Sequence, residues 1–261
     1  MNELLVTALK ASGKTLLTYF NKPLEAVQKE SQSNIVTKAD IESEKVIIDL
    51  IETGYPGHNI ISEESGFKDK KSEFTWVIDP LDGTSNFAAG IPWFGILISL
   101  FRYNTPVLGG AYLPVQDDLY MAETGKGVFK NGKPIPSIKN KDLEESLFAF
   151  CVDYTEDIEF LNRGLEIYKH IVRSARNIRS TNSLIDFIYV AEGKLGGVLN
   201  LYTKVWDISA LGLIISEAGG VMKNINGKDI QYRLSGKIIE ENFPVIAGTN
   251  NIYRSLINIV S

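Results

Sequence analysis

Several residue types that build common sites and scaffolds are scarce in this chain. Its 261 residues include a single cysteine, Cys151, so no intrachain disulfide can form, which fits a reducing compartment. The two histidines, His58 and His170, lie far apart in unrelated contexts. They give no support to a histidine-built zinc site or a Ser-His-Asp triad. Cationic residues are not in excess: 27 Lys and Arg against 32 Asp and Glu leave a net charge of −5 and a pI near 5.3. A protein that grips a nucleic-acid backbone is usually basic, so no nucleic-acid partner is expected. Long apolar runs are also missing. The longest, "IPWFGILISLF", is about half of the roughly 20 residues a membrane-spanning helix needs. The N-terminal "MNELLVTALKASGKTLLTYF" has no basic segment before its apolar residues and reads as an amphipathic helix, not a signal peptide. A cytoplasmic protein without a membrane partner is the expectation.

Two glycine-bearing stretches imitate nucleotide-binding motifs without completing them. "ASGKT" (Ala11–Thr15) has the end of a phosphate-binding loop, but Ala8 stands where its first glycine belongs, and the segment sits within a helical pattern. "GKLGG" (Gly193–Gly197) lacks both the spacing and the preceding strand of a dinucleotide fingerprint.

What is present is an ordinary globular composition, 44% hydrophobic and 23% charged, enough for one large domain or two lobes. Leu4, Leu5, Ala8, Leu9, Leu16 and Phe20 predict a first helix, and "TKADIESEKVIIDLIETG" a second, stopped by Gly54 and Pro56. A polar loop, "NKPLEAVQKESQSN", lies between them. Strand-like "NIIS", "FTWVID", "GILISLFRY" and "VLGGAYLPV" follow, then a hairpin signal at Asn131-Gly132. A polar stretch over 137–145 suggests a boundary between lobes 1–140 and 141–261. Beyond it, strands "SLFAFCV", "NIRS", "GGVLNLY" and "PVIAGT" alternate with helices around 156–171, 183–192 and 207–218. The first half therefore reads as α+β with an antiparallel meander, the second as α/β.

Acidic residues sit at the ends of these elements: Asp40 in "VTKAD", Glu63-Glu64 in "IISEES", Asp79 and Asp82 in "WVIDPLDGTSNF", and Asp207 and Glu217 in "VWDISALGLIISEAGG". Asp40 and Asp207 also suit helix N-termini. Glu63 and Asp79 follow apolar runs and should emerge at strand ends, where α/β sites gather. Isolated buried carboxylates are costly. Hard-cation binding explains the set, because Mg²⁺ takes oxygen ligands and keeps room for substrate phosphate. Two such ions can clamp a phosphoryl displacement, with Asp79 bridging and Asp82 reaching the second. Gly83 and Thr84 would then offer backbone N–H groups to the phosphate.

At this point the chain resembles the inositol monophosphatase family. "DPLDGTSNF", "WDISALGLIISEAGG", "ISEES" (with Ser62 where the family has glycine) and "KESQSNIVTKAD" correspond to its motifs in order along nearly the whole chain. The resemblance implies a layered αβαβα sandwich and a Mg²⁺-dependent, lithium-sensitive phosphatase. By position it implies Glu63, Asp79 and the Leu81 carbonyl as ligands of a first ion, and Asp79, Asp82 and Asp207 as ligands of a second. A third ion would sit near Glu63 and the mobile-loop Lys29. Thr84, linked to Asp40, would orient and deprotonate the attacking water, while Gly83 and Thr84 hold phosphate. Glu64 is a supporting group, and Glu217 and Gly219-Gly220 are structural. The family also implies a small phosphorylated metabolite as partner and, by analogy, a homodimer.

Two departures touch the substrate side. Asn200 stands where inositol-hydrolysing members carry a glutamate, and "TNSL" (Thr181, Asn182, Ser183 and Leu184) replaces a Gly-Thr/Ala step. These leave inositol 1-phosphate, fructose 1,6-bisphosphate and other sugar phosphates open. A non-catalytic phosphate-binding descendant is the reading from a different class. The complete set Glu63, Asp79, Asp82, Thr84 and Asp207 argues against it, since an unoccupied acidic cluster is unfavourable.

Overall fold

The apolar stripe of the N-terminal segment forms α1 (Asn2–Tyr19), which buries Leu5, Ala8, Leu9 and Leu16. A computed structural model describes residues 1–22, 26–28 and 35–260. β1 (Ala26–Gln28) falls in the stretch expected to be loop and pairs antiparallel with β2 (Ile35–Thr37), just beyond it. α2 (Lys38–Gly54) starts at Thr37, whose hydroxyl accepts from the Ala39 N–H, while the Asp40 carboxylate accepts from the Thr37 N–H. Such a cap stabilises a helix start by about 1 kcal/mol.

An eight-stranded sheet comes next. Its strands are β3 (Asn59–Ser62), β4 (Gly66–Lys68), β5 (Phe74–Asp82), β6 (Gly95–Arg102), β7 (Thr105–Leu113), β8 (Asp118–Glu123), β9 (Val128–Lys130) and β10 (Lys133–Pro134), with the short helix α3 (Thr84–Ala88) after β5. The order is β10-β9-β8-β7-β6-β5-β3-β4, antiparallel except for the parallel β3–β5 pair. β9 and β10 form the hairpin expected at Asn131-Gly132, both turn residues having positive φ.

The rest of the chain supplies β11 (Leu147–Cys151), α4 (Ile158–Ser174), β12 (Asn177–Arg179), α5 (Leu184–Ala191), β13 (Gly197–Asn200), α6 (Val205–Glu217), β14 (Val221–Asn224), β15 (Val245–Gly248) and α7 (Asn250–Val260). The second sheet runs β12-β11-β13-β15-β14, with β11 parallel to both β12 and β13. β4, β14 and α7 had no sequence expectation. β4 (Gly-Phe-Lys) and β14 (Val-Met-Lys-Asn) are short and lack the apolar run that marks "NIIS". α7 did carry a helical signal, the four-residue spacing of its buried Ile252 and Leu256.

Burial stacks five layers. α1 and α2 cover the outer face of the first sheet through Leu9, Ile47 and Ile51 against Trp76, Ile78 and Ile96. α5 and α6 lie between the sheets, where Ile188 and Ile214 meet Leu97 and Ala111 on one side and Val198 and Ala247 on the other. α4 and α7 close the far face through Ile171 and Leu256 against Phe148 and Ile246. Each fully buried aliphatic side chain contributes about 1.5–3 kcal/mol of transfer energy. Because helices cover both faces of β5 and β6, these strands are near-continuous apolar runs rather than alternating ones. This is the expected αβαβα sandwich.

The imitation motifs resolve as structure. Gly13 of "ASGKT" lies inside α1, where a Cβ would stand 2.3 Å from Cε1 of Tyr112, so the glycine permits close helix–sheet packing. The His58 ring stacks on Tyr55, and its Nδ1 accepts from Trp76 Nε1 (3.1 Å). Glu217 accepts from the Gly125 and Gly127 N–H groups, each at 2.8 Å, and so pins α6 to the β8–β9 turn.

Candidate active site

The site begins with an irregularity in β5. The strand does not stop at Asp79 but continues to Asp82, and its register against β6 shifts between those two residues. In a regular strand, positions three apart face opposite sides. Pro80, which has no N–H for the ladder, and the register shift bring both carboxylates to one cavity. The backbone there is anchored from behind: Ser43 Oγ of α2 donates to the Pro80 carbonyl (2.7 Å) and meets Ser12 Oγ of α1 at 2.6 Å.

Asp207 arrives from the first turn of α6. Carboxylate oxygens of Asp79, Asp82 and Asp207 lie within 4.8 Å of one another. Backbone N–H groups aim each one: Leu81 N to Asp79 Oδ1 (3.0 Å), Leu184 N to Asp82 Oδ1 (2.6 Å), and Lys204 N to Asp207 Oδ2 (2.6 Å). Burial, then the charges of Glu63, Asp82 and Asp207, lifts Asp79 well above the usual carboxylate range. Burial lifts Asp82 to about 7, against the Leu184 N–H. Burial and the Asp82 charge lift Asp207 to about 7. Three such groups cannot all ionise cheaply without a cation. The donor set is oxygen only, with no nitrogen or sulfur, which fits a hard divalent ion such as Mg²⁺.

The trio lines a cavity of about 580 Å³ together with Glu63, Leu81, Gly83 and Thr84. Glu63 leaves the end of β3, its N–H donating to the Ile78 carbonyl (3.3 Å). The turn carrying it is held by Glu44, a buried α2 residue whose Oε2 accepts from Ser62 Oγ and from the Glu64 N–H (3.0 Å). Gly83 sits at φ +85°, where a Cβ would stand 2.6 Å from the Trp93 carbonyl oxygen. A side chain there would meet both strain and collision. Thr84 Oγ1 lies 2.9 Å from the Leu81 carbonyl and 3.1 Å from Asp40 Oδ1, so its one proton is shared between two acceptors. Asp40 Oδ2 accepts from the Thr37 N–H and hydroxyl (2.8 and 2.6 Å), and burial raises its proton affinity.

Asn182, Ser183 and Asn200 line the same cavity, and Thr181 does not. Its hydroxyl meets Ser183 Oγ at 3.0 Å and its carbonyl accepts from Asn86 Nδ2 (2.9 Å). Asn200 Oδ1 is engaged locally by the Tyr202 N–H (3.0 Å). Lys29 lies outside the described residues. Sequence reasoning missed Glu44, Asp153 and Asp186. Asp153 faces the cavity, and burial raises its proton affinity. Asp186 is fully buried, and its Oδ2 accepts from Cys151 Sγ (3.2 Å), Thr181 N (3.0 Å) and Asn182 N (3.1 Å). It was legible in part: "SLID" puts an acidic residue three positions after the serine cap of α5.

A sandwich with helices between its sheets and an oxygen-only acidic group beside a tight glycine turn defines a class, the layered α/β proteins with a carboxylate site at strand ends. The family model of the inositol monophosphatase family matches residues 1–260, and the chain belongs to that family. It is similar to the fructose-1,6-bisphosphatase/inositol-1-monophosphatase of Aquifex aeolicus, 34% identical over 218 residues, covering 82% of this chain and 81% of that one. It is also similar to the Nus factor SuhB of Escherichia coli K12, 31% identical over 250 residues, covering 94% and 92%. Among solved structures, an IMPase of Thermotoga maritima superposes with a TM-score of 0.87 at 27% identity, covering 100% of this chain and 97% of that one.

Proposed function

We propose that this protein is a Mg²⁺-dependent phosphomonoesterase of a small polyol or sugar phosphate, with inositol 1-phosphate the first candidate and fructose 1,6-bisphosphate the second. The observation that carries this reading is the Asp79–Asp82–Asp207 group, within 4.8 Å, at the wall of a cavity that Gly83 and Thr84 also line. Family membership and the name of the Aquifex aeolicus relative support it.

In this reading Glu63, Asp79 and the Leu81 carbonyl hold one ion, and Asp79, Asp82 and Asp207 hold a second; a third near Glu63 is optional. When bound, the ions neutralise phosphate charge and make a coordinated water acidic. The protein's own residues do the rest. The Gly83 and Thr84 N–H groups bind the phosphate oxygens. Thr84 Oγ1 orients the attacking water and passes its proton to Asp40, whose burial favours protonation. Water oxygen bonds to phosphorus, the phosphorus–oxygen ester bond breaks, the alcohol leaves with a proton taken from solvent, and Asp40 returns the attacking water's proton to solvent. No side chain is phosphorylated. Asn182, Ser183 and Asn200 face the alcohol. Lobe 1–140 would carry the ions and phosphate, and lobe 141–261 would contribute Asp207 and the substrate side. Cytoplasmic location, lithium sensitivity and a homodimer complete the proposal.

The test is phosphate release from inositol 1-phosphate, fructose 1,6-bisphosphate, histidinol phosphate, 3′-phosphoadenosine 5′-phosphate and glycerol 2-phosphate, with Mg²⁺ and with chelator. Mg²⁺-dependent turnover of a polyol or sugar phosphate is expected; release from none of them overturns the reading.

A further inference from the structure

The cavity contains a carboxylate that the proposed metal and phosphate chemistry does not use. Asp153 follows β11 and lines the cavity beside Asn182, Asn200 and Tyr202. Its Oδ1 accepts from Asn182 Nδ2 at 2.7 Å, and among the described residues its Oδ2 has no hydrogen-bond partner. The clasp is built. Asn182 holds a left-handed backbone at φ +52°, a conformation that asparagine accepts better than most residues, and its N–H is tied to the buried Asp186. Asp186 also takes the Thr181 N–H and the Cys151 thiol, so the loop is anchored to β11, the strand that delivers Asp153. The neighbouring Asn200 has its Oδ1 committed to Tyr202.

The charge around Asp153 says what it would meet. Glu156 lines the same cavity. Lys204 is the single cationic side chain on the cavity wall among the described residues, and its Nζ donates to the Glu240 carbonyl (2.9 Å). A second phosphate placed there would face carboxylates without a matching cation. A hydroxyl would find a strong acceptor, because hydrogen bonds to an ionised carboxylate are about twice as strong as neutral ones.

We infer that Asp153, presented by Asn182, is the specificity residue that accepts hydrogen bonds from the hydroxyls of an uncharged polyol monophosphate. This rests on the phosphomonoesterase reading above and adds to it the residue that selects the polyol side.

The test is Asp153→Asn, with Asp153→Ala as second variant, assayed with Mg²⁺ on inositol 1-phosphate, fructose 1,6-bisphosphate and p-nitrophenyl phosphate, which has no hydroxyls. Asparagine can keep the clasp through its own Oδ1 while turning the free acceptor into a donor. We expect KM for inositol 1-phosphate to rise about tenfold or more with kcat little changed. Turnover of p-nitrophenyl phosphate should stay within about twofold, and preference should shift toward the bisphosphate. Equal losses on inositol 1-phosphate and p-nitrophenyl phosphate, or no change on either, would overturn the inference. Selective gain of a phosphorylated amino alcohol over inositol 1-phosphate in the unmutated protein would overturn it too, since it assigns the carboxylate to an ammonium. If the unmutated protein releases no phosphate from any substrate, the phosphomonoesterase reading fails instead.

Discussion

Asp153 and the Asp79–Asp82–Asp207 group are carboxylates on one cavity wall, yet they differ in what surrounds them. Burial and neighbouring carboxylates together raise the proton affinity of the trio, and each member spends one oxygen on a backbone N–H. For Asp153 burial is the cause, and the amide of Asn182 offsets it. Crowded carboxylates call for a cation, while Asp153, outside the 4.8 Å group although its charge still raises Asp82 and Asp207, keeps one oxygen without a hydrogen-bond partner among the described residues. The lesson is that neighbours, not residue type, set what an acidic side chain in a cavity can do.

The largest effect should come from thinning the crowd. Asp207→Asn or Asp82→Asn is expected to lower Mg²⁺-dependent phosphate release more than about 10²-fold, beyond the cost of losing a supporting group. The metal-free melting temperature should hold or rise, because a buried like charge is removed. A variant turning over at a near-normal rate would dissolve the distinction between the trio and Asp153.

Next in size is Gly83→Ala, which places a Cβ against the Trp93 carbonyl in a left-handed position. The strain alone costs about 1–2 kcal/mol. Denaturant unfolding should show that loss, with a drop in turnover as the Thr84 N–H moves; unchanged stability would remove Gly83 from the argument.

The pH dependence sharpens the comparison further. In the folded, metal-free protein Asp82 and Asp207 bind protons up to about 7, against an ordinary value of 3.8. Groups raised in the folded state stabilise it fully below their ordinary value and lose that contribution as pH rises through 7. Metal-free melting temperature should therefore fall between pH 5 and pH 8, and the gain on adding Mg²⁺ should be larger at pH 8. Equal gains at both pH values would count against a cation at this cluster.

The smallest effect is predicted for Glu44→Gln, which weakens the acceptor holding Ser62 and Glu64. We expect about 1 kcal/mol of stability and a few-fold loss of turnover through the turn that carries Glu63. A large loss of turnover without loss of stability would place Glu44 among the groups that act directly.

Much of the site could be read before any fold was known, because its pieces are short and local. The Asp79–Thr84 turn, the Thr37–Asp40 cap and the first turn of α6 each fall within six residues, so their acidic side chains stand out as candidates in those residues alone. Glu44, Asp153 and Asp186 stayed hidden because their partners are remote. Glu44 meets Glu64 across 20 positions, and Asp153 meets Asn182 across 29. Asp82, although recognised, is aimed by the Leu184 N–H 102 residues away.

The sequence by itself determined the helical and strand periods, the family and the acidic residues that ask for a cation, since these depend on side-chain type and short spacing. Tertiary structure alone decided that the remote Leu184 N–H aims Asp82. It alone decided that Asp153 lines the cavity and Thr181 does not. Hydrogen bonds closed between distant segments of the chain impose such orientations, and no local pattern of residues encodes them.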